Sequence, residues 1–180
     1  MSDLCFVDWS VTGLKGFTFG DDGVIMNVLF ICTANISRSF LAEMLLRHEI
    51  DQKNIKDIFV LSAGIDAAPG YPPDSKMIEY LLNQNIRGAD HASRQVRQED
   101  VDGADRIFVM EKKQADEIIR HWPQAAQKVE LLGSYVSVDS AADDIMDPYG
   151  RSPYHYRLAQ SQISLAIEKI VQNLKRLQEN

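Results

Sequence analysis

Four short apolar runs, at 27–32, 58–61, 106–110 and 128–133, constrain this chain more than any other feature, because segments with helical spacing separate and follow them. Runs of that length, rich in Val, Ile, Leu and Phe, suit strands buried on both faces. Segment 38–50 carries Leu41, Met44, Leu45 and Ile50, and segment 73–85 carries Met77, Ile78, Leu81 and Leu82 on one face, with Pro73 placed to open its first turn. A third helical pattern covers 112–122, and the last, 154–178, repeats Ile163, Ile167, Ile170, Val171, Leu174 and Leu177 along one stripe. Strands alternating with helices predict an α/β fold, a four-stranded parallel open sheet with helices on both faces. Ligands bind such sheets beyond the carboxyl ends of their strands, where Cys32, Ser62 and Met110 fall.

A length of 180 residues fits one domain. Residues 1–25 read differently from the rest, with glycine breaking "SVTGLKGFTFGDDG", so they are expected to be an extension of unassigned role ahead of a folded domain at 26–180. The net charge of −7 opposes nucleic acid backbones, and no nucleic acid partner is expected. No apolar run approaches the roughly 20 residues that span a bilayer, so membrane insertion is not expected either. The opening residues lack a signal-peptide pattern. A cytoplasmic location and a monomer or weak dimer are the expectations.

There are two cysteines, Cys5 and Cys32, with no C-x-x-C and no Cys/His cluster at ligand spacing. Neither a metal, a cofactor nor a disulfide framework is expected, and Cys32 has to be explained as a thiol. It ends the first strand and stands six residues before Arg38, across Thr33, Ala34, Asn35, Ile36 and Ser37. Such a loop can curl its backbone N–H groups inward while the following helix adds its positive end, which makes an anion cradle. Arg38 can add two parallel hydrogen bonds to a tetrahedral oxyanion, a geometry lysine cannot match. Thr33 to Arg38 therefore form a candidate phosphate-binding loop, and the same field favours the thiolate, a nucleophile toward phosphorus. A plainer reading makes Cys32 a small buried residue at a strand end; its placement between strand and helix, with Ser39 after the arginine, argues against that. Phosphoryl transfer also needs a proton donor for the leaving group, and Asp147, in the turn "DPYG", supplies a carboxyl.

In this order, "CTANISRS", "FLAE", "SAG", "HASRQ", "FVME", "ELLG" and "DPYG" resemble the low-molecular-weight protein tyrosine phosphatases, from about Asn27 to the C-terminal helix. The resemblance implies a metal-independent phosphatase acting on phosphotyrosine and small aryl phosphates through a phosphocysteine. Cys32 would be the nucleophile, Arg38 the binder of phosphoryl oxygens and Asp147 the acid, then base. Ser39 would hydrogen-bond the sulfur, and Asn35 would hold the loop with Ser62 and His91. Ile36 and Tyr149 would form the substrate pocket. The partner would be a phosphotyrosine protein, with a tyrosine kinase among the candidates.

Many members of that family carry a second cysteine at Ser37, glycine at Ala34 and proline at Phe40. Without the second cysteine a protective disulfide would have to come from Cys5, and Phe40 could alter the pocket mouth. Arsenate reductases of this fold need further cysteines downstream, and none follows Cys32. Protein-arginine phosphatases have threonine at Ile36, and an apolar side chain there better suits a phenyl ring. A phosphate-binding adaptor without turnover is the alternative from another class, but it would not need Asp147.

Overall fold

The computed structural model describes residues 26–88, 90–136 and 144–178. The extension at 1–25, with Cys5 and Trp9, lies outside the described residues, as does any Cys5–Cys32 bridge. A four-stranded parallel sheet is built from β1 (Met26–Cys32), β2 (Ile58–Gly64), β3 (Arg106–Val109) and β4 (Val129–Leu131), in the order β2-β1-β3-β4. The helices are α1 (Arg38–Gln52), α2 (Ser75–Leu82), α3 (Gln98–Gly103), α4 (Lys112–His121) and α5 (Pro153–Gln178).

Because β1 is a central strand, both of its faces must be apolar. Val28 and Phe30 pack with Leu41, Leu45, Ile163 and Ile167 on the side of α1, α2 and α5. Leu29 and Ile31 pack with Val101, Ile107 and Ile118 on the side of α3 and α4. Burying a side chain such as Phe30 contributes roughly 1.5–3 kcal/mol, so this strand anchors both layers. Its last residue, Cys32, emerges where they meet at the carboxyl edge.

The boundaries differ from expectation where small or polar residues matter. β2 continues past residue 61 because Ser62, Ala63 and Gly64 pair in register with Phe30, Ile31 and Cys32. β4 keeps only Val129–Leu131 before a 3-10 turn at Leu132–Tyr135. Pro73 does not open α2: the Asp74 side chain accepts the Lys76 N–H at 2.9 Å and caps the helix after it. That helix buries Met77 and Leu81 and leaves Leu82 57% exposed, off the expected apolar face. α3 has no visible periodicity, with Val101 its one buried residue. Trp122 packs partly buried against the α3/α4 core. Among the described residues, no helix is long and apolar enough to cross a membrane.

Candidate active site

Between β1 and α1 the chain makes a tight loop against β2. The N–H groups of Ile65 and Asp66 donate to the carbonyls of Cys32 and Thr33, each at 2.9 Å. A Cβ on Gly64 would sit 2.5 Å from the Thr33 oxygen, so only glycine allows this approach. Asn35 has φ of 57°, a left-handed angle that asparagine tolerates better than most residues. Ala34 does not have positive φ, which is why alanine fits there. At the start of α1 no side chain caps the first turn; Ser37 Oγ lies 3.4 Å from Asp74 instead. The first turn of α1 thus has no side-chain cap, and its positive end lies at the loop that follows Cys32.

Behind the loop lies a buried polar network. Asn35 Nδ2 donates to Ser39 Oγ at 3.0 Å and to Ser62 Oγ at 2.8 Å, while its Oδ1 accepts the Arg94 N–H at 3.0 Å. His91 Nε2 lies 2.8 Å from the Asn35 carbonyl. Ser62 donates in turn to Glu43, whose other oxygen pairs with Arg47 at 2.7 Å. The Cys32 sulfur, 2% exposed in its residue, is 3.0 Å from Ser39 Oγ and accepts the Asn35 N–H at 3.3 Å. Both contacts fix the position of the sulfur beneath the loop.

Arg38 is almost fully buried, which demands partners for its charge. Nη1 donates to Glu111 and, at 3.0 Å, to the Ile145 carbonyl, and Nη2 meets Asp147 at 2.9 Å. Nε has no partner. Burial would raise the Glu111 carboxyl, but Lys113 and Arg38 beside it outweigh burial and hold it below its usual value. Gln114 fixes the neighbouring turn: its Oε1 accepts the Met110 and Glu111 N–H groups at 2.9 and 3.1 Å, and its Nε2 donates to Thr33 Oγ1 at 3.1 Å.

Above the loop opens a cleft of about 280 Å³, lined by Cys32, Ile36, Arg38, Asp147 and Tyr149, with Asp66 and Tyr71 at its rim. All of Thr33 to Arg38 except the buried Asn35 line it. Ser39, Ser62 and His91 gather behind, around Asn35. Phe40 is not at the mouth; it is buried, with its ring 4.7 Å from that of His91.

Glu43, Gly64, Asp66, Tyr71, Glu111, Gln114 and Arg94 also build the site and its surroundings, without a role expected from the sequence. The signal for Glu43 is a lone carboxylate inside the apolar run "FLAEMLL". Glu111 and Gln114 carry the spacing of a helix N-cap and its third residue. Among the described residues, no group of three or more His, Cys, Asp or Glu is placed to hold a metal ion.

A thiol, a guanidinium and a carboxyl lining one cleft beside a helix start are the groups that displacement at phosphorus calls for. The class so defined is the phosphatases that work from a cysteine. Residues 27–180 match the family described as low molecular weight phosphotyrosine protein phosphatase, and the chain belongs to that family. A protein-arginine-phosphatase from Geobacillus stearothermophilus is 31% identical over 148 residues, covering 82% of this chain and 95% of its own. The probable low molecular weight protein-tyrosine-phosphatase EpsP of Ralstonia nicotianae is 30% identical over 154 residues, covering 86% and 99%. The low molecular weight protein tyrosine phosphatase of T. tengcongensis superimposes with a TM-score of 0.74 at 30% identity, over 82% of this chain and 99% of that one.

Proposed function

We propose that residues 26–180 form a phosphatase domain that hydrolyses phosphotyrosine in proteins, and small aryl phosphates, through a phosphocysteine at Cys32. The observation that carries this reading is the cleft wall, where apolar Ile36 and the rings of Tyr149 and Tyr71 flank the approach to the sulfur. A planar phenyl ring fits between such surfaces.

In the first step the Cys32 sulfur attacks phosphorus, a P–S bond forms, and the bond from phosphorus to the tyrosine oxygen breaks. Asp147 gives its proton to that oxygen. In the second step water attacks phosphorus, Asp147 takes its proton, and the P–S bond breaks to return the thiolate and release phosphate. Ser39, 3.0 Å from the sulfur, donates to it as it leaves. Loop amides from Thr33 to Arg38 hold the equatorial oxygens.

Arg38 has a specific part. Glu111 and the Ile145 carbonyl hold Nη1, so the Nε–Nη2 edge remains for the phosphoryl group. Two parallel hydrogen bonds from that edge match two oxygens. Nη2 rests on Asp147 in the free enzyme. Arrival of phosphate displaces that carboxyl, which turns toward the leaving oxygen. A reduced thiol is required throughout, which suits a cytoplasmic setting, and a tyrosine kinase or other phosphotyrosine protein would be the partner of a monomer or weak dimer.

The 31% identity to a protein-arginine-phosphatase supports a second reading, phosphoarginine hydrolysis. Both are tested by phosphate release from p-nitrophenyl phosphate, a phosphotyrosine peptide and a phosphoarginine peptide under reducing conditions. Release from the aryl substrates, abolished in Cys32→Ser and cut about 10²- to 10⁴-fold in Asp147→Asn, is the expected result. Turnover of the phosphoarginine peptide alone would establish the second reading. Binding without release by folded wild type would make the protein an adaptor.

A further inference from the structure

The cleft contains one charge for which the reaction has no use. Asp66 lines it on the β2 side, and its N–H, bound to the Thr33 carbonyl at 2.9 Å, pins it to the rim of the phosphate loop. Its exposed carboxylate makes no hydrogen bond or ion pair among the described residues. The other charged side chains lining the cleft, Arg38 and Asp147, pair with each other at 2.9 Å. A lone carboxylate beside a cradle for a phosphate dianion repels the group the cradle is built to hold. Its presence is favourable only if the same substrate carries a cation that reaches it.

We propose that Asp66 is a specificity residue that pairs with a lysine or arginine immediately flanking the phosphotyrosine. The preferred substrates are therefore phosphotyrosine segments with basic neighbours. This rests on the phosphotyrosine reading above. Acidic neighbours are disfavoured twice, by Asp66 and by the chain's net charge of −7. Because Asp66 is exposed, the pair is screened by water, and its effect on kcat/KM is roughly two- to fivefold. The cation sits away from the bonds that change, so the effect falls on KM rather than kcat.

The test compares kcat and KM for three phosphotyrosine peptides differing only in flanks of Lys, Ala or Glu, with p-nitrophenyl phosphate as a substrate without flanks. Wild type is expected to rank Lys above Ala above Glu through KM, with the ranking compressed at high salt. Asp66→Asn should level the ranking and Asp66→Lys invert it. If Asp66→Asn improves all four substrates by one common factor, Asp66 only repels phosphate and the proposal is overturned. A flat ranking in wild type overturns it while the phosphotyrosine reading stands. Failure to release phosphate from any phosphotyrosine peptide removes that reading, and the proposal with it.

Discussion

The floor of the cleft and its rim enclose the same space yet are built on opposite terms. On the floor, Asn35, Ser39, Ser62 and Glu43 are buried and hydrogen-bonded to one another, and Arg38 is gripped from two sides. At the rim, Tyr71 and Tyr149 are 61% and 62% exposed, and neither hydroxyl has a partner among the described residues. Buried networks are strong and unforgiving, since each lost bond strands its partner out of water. Exposed side chains exchange protein contacts for water at little cost. In the proposed reaction, the chemistry falls to the part of the site that tolerates least change, and the choice of substrate to the part that tolerates most.

Substitutions on either side of that division should sort by size. Arg38→Lys removes the planar fork from the floor, and kcat is expected to fall about 10²- to 10³-fold in steady-state assays; a loss under tenfold would mean that the floor does not set the rate. Asn35→Ala deletes the bonds to Ser39, Ser62 and Arg94 and leaves alanine at a φ of 57°. The expected outcome is a roughly 10- to 100-fold lower kcat and a loss of about 1–3 kcal/mol in urea unfolding. A fall in stability with kcat intact would separate the network's packing role from its catalytic one.

Glu111→Gln probes the floor through pH. The Glu111 carboxyl is held below its usual value of 4.5 in the folded protein. Its ionised form therefore stabilises the fold fully above that value, and the contribution is lost as pH falls through the folded value. Wild type should exceed Glu111→Gln by about 1–2 kcal/mol at pH 7, with the gap closing in acid; unfolding at pH 7 and pH 4 measures it. A gap that widens in acid would reverse the assignment. The smallest effect belongs to the rim: Tyr149→Ala should raise KM for aryl phosphates roughly two- to fivefold, leaving kcat within about twofold and the unfolding midpoint unmoved.

Much of the floor was legible because it is local. Cys32, Arg38 and Ser39 lie on one strand-loop-helix turn, where chain geometry alone brings them together. Asn35 was placed by the family resemblance, with which its tolerance of left-handed angles agrees. Glu111 could not, because it meets Arg38 across 73 residues of chain and nothing in its neighbours marks it as buried. Arg94 and Gln114 likewise meet the loop from 59 and 81 residues away, and the capping spacing of Gln114 marks a helix start but not its contact with Thr33. Asp66 and Tyr71 belong to the segment after β2, where no periodic pattern reports which way a side chain faces. The sheet followed from apolar runs, whereas the start of α2 moved because a capping aspartate outweighed the proline before it.

The distances along the chain that hide these partners also bear on how the protein is made. Arg38 is held by Ile145, 107 residues further on, and Asn35 by Arg94, 59 residues further on. Synthesis delivers the N-terminal part first, so Cys32 leaves the ribosome long before the groups that form its surroundings. Until β3 and the segment around Ile145 have docked, the arginine has no grip and the loop no fixed shape. On the proposed mechanism, Cys32 gains its working surroundings only with the finished fold. A product cut short before residue 145 would lack the Ile145 and Asp147 contacts that hold Arg38.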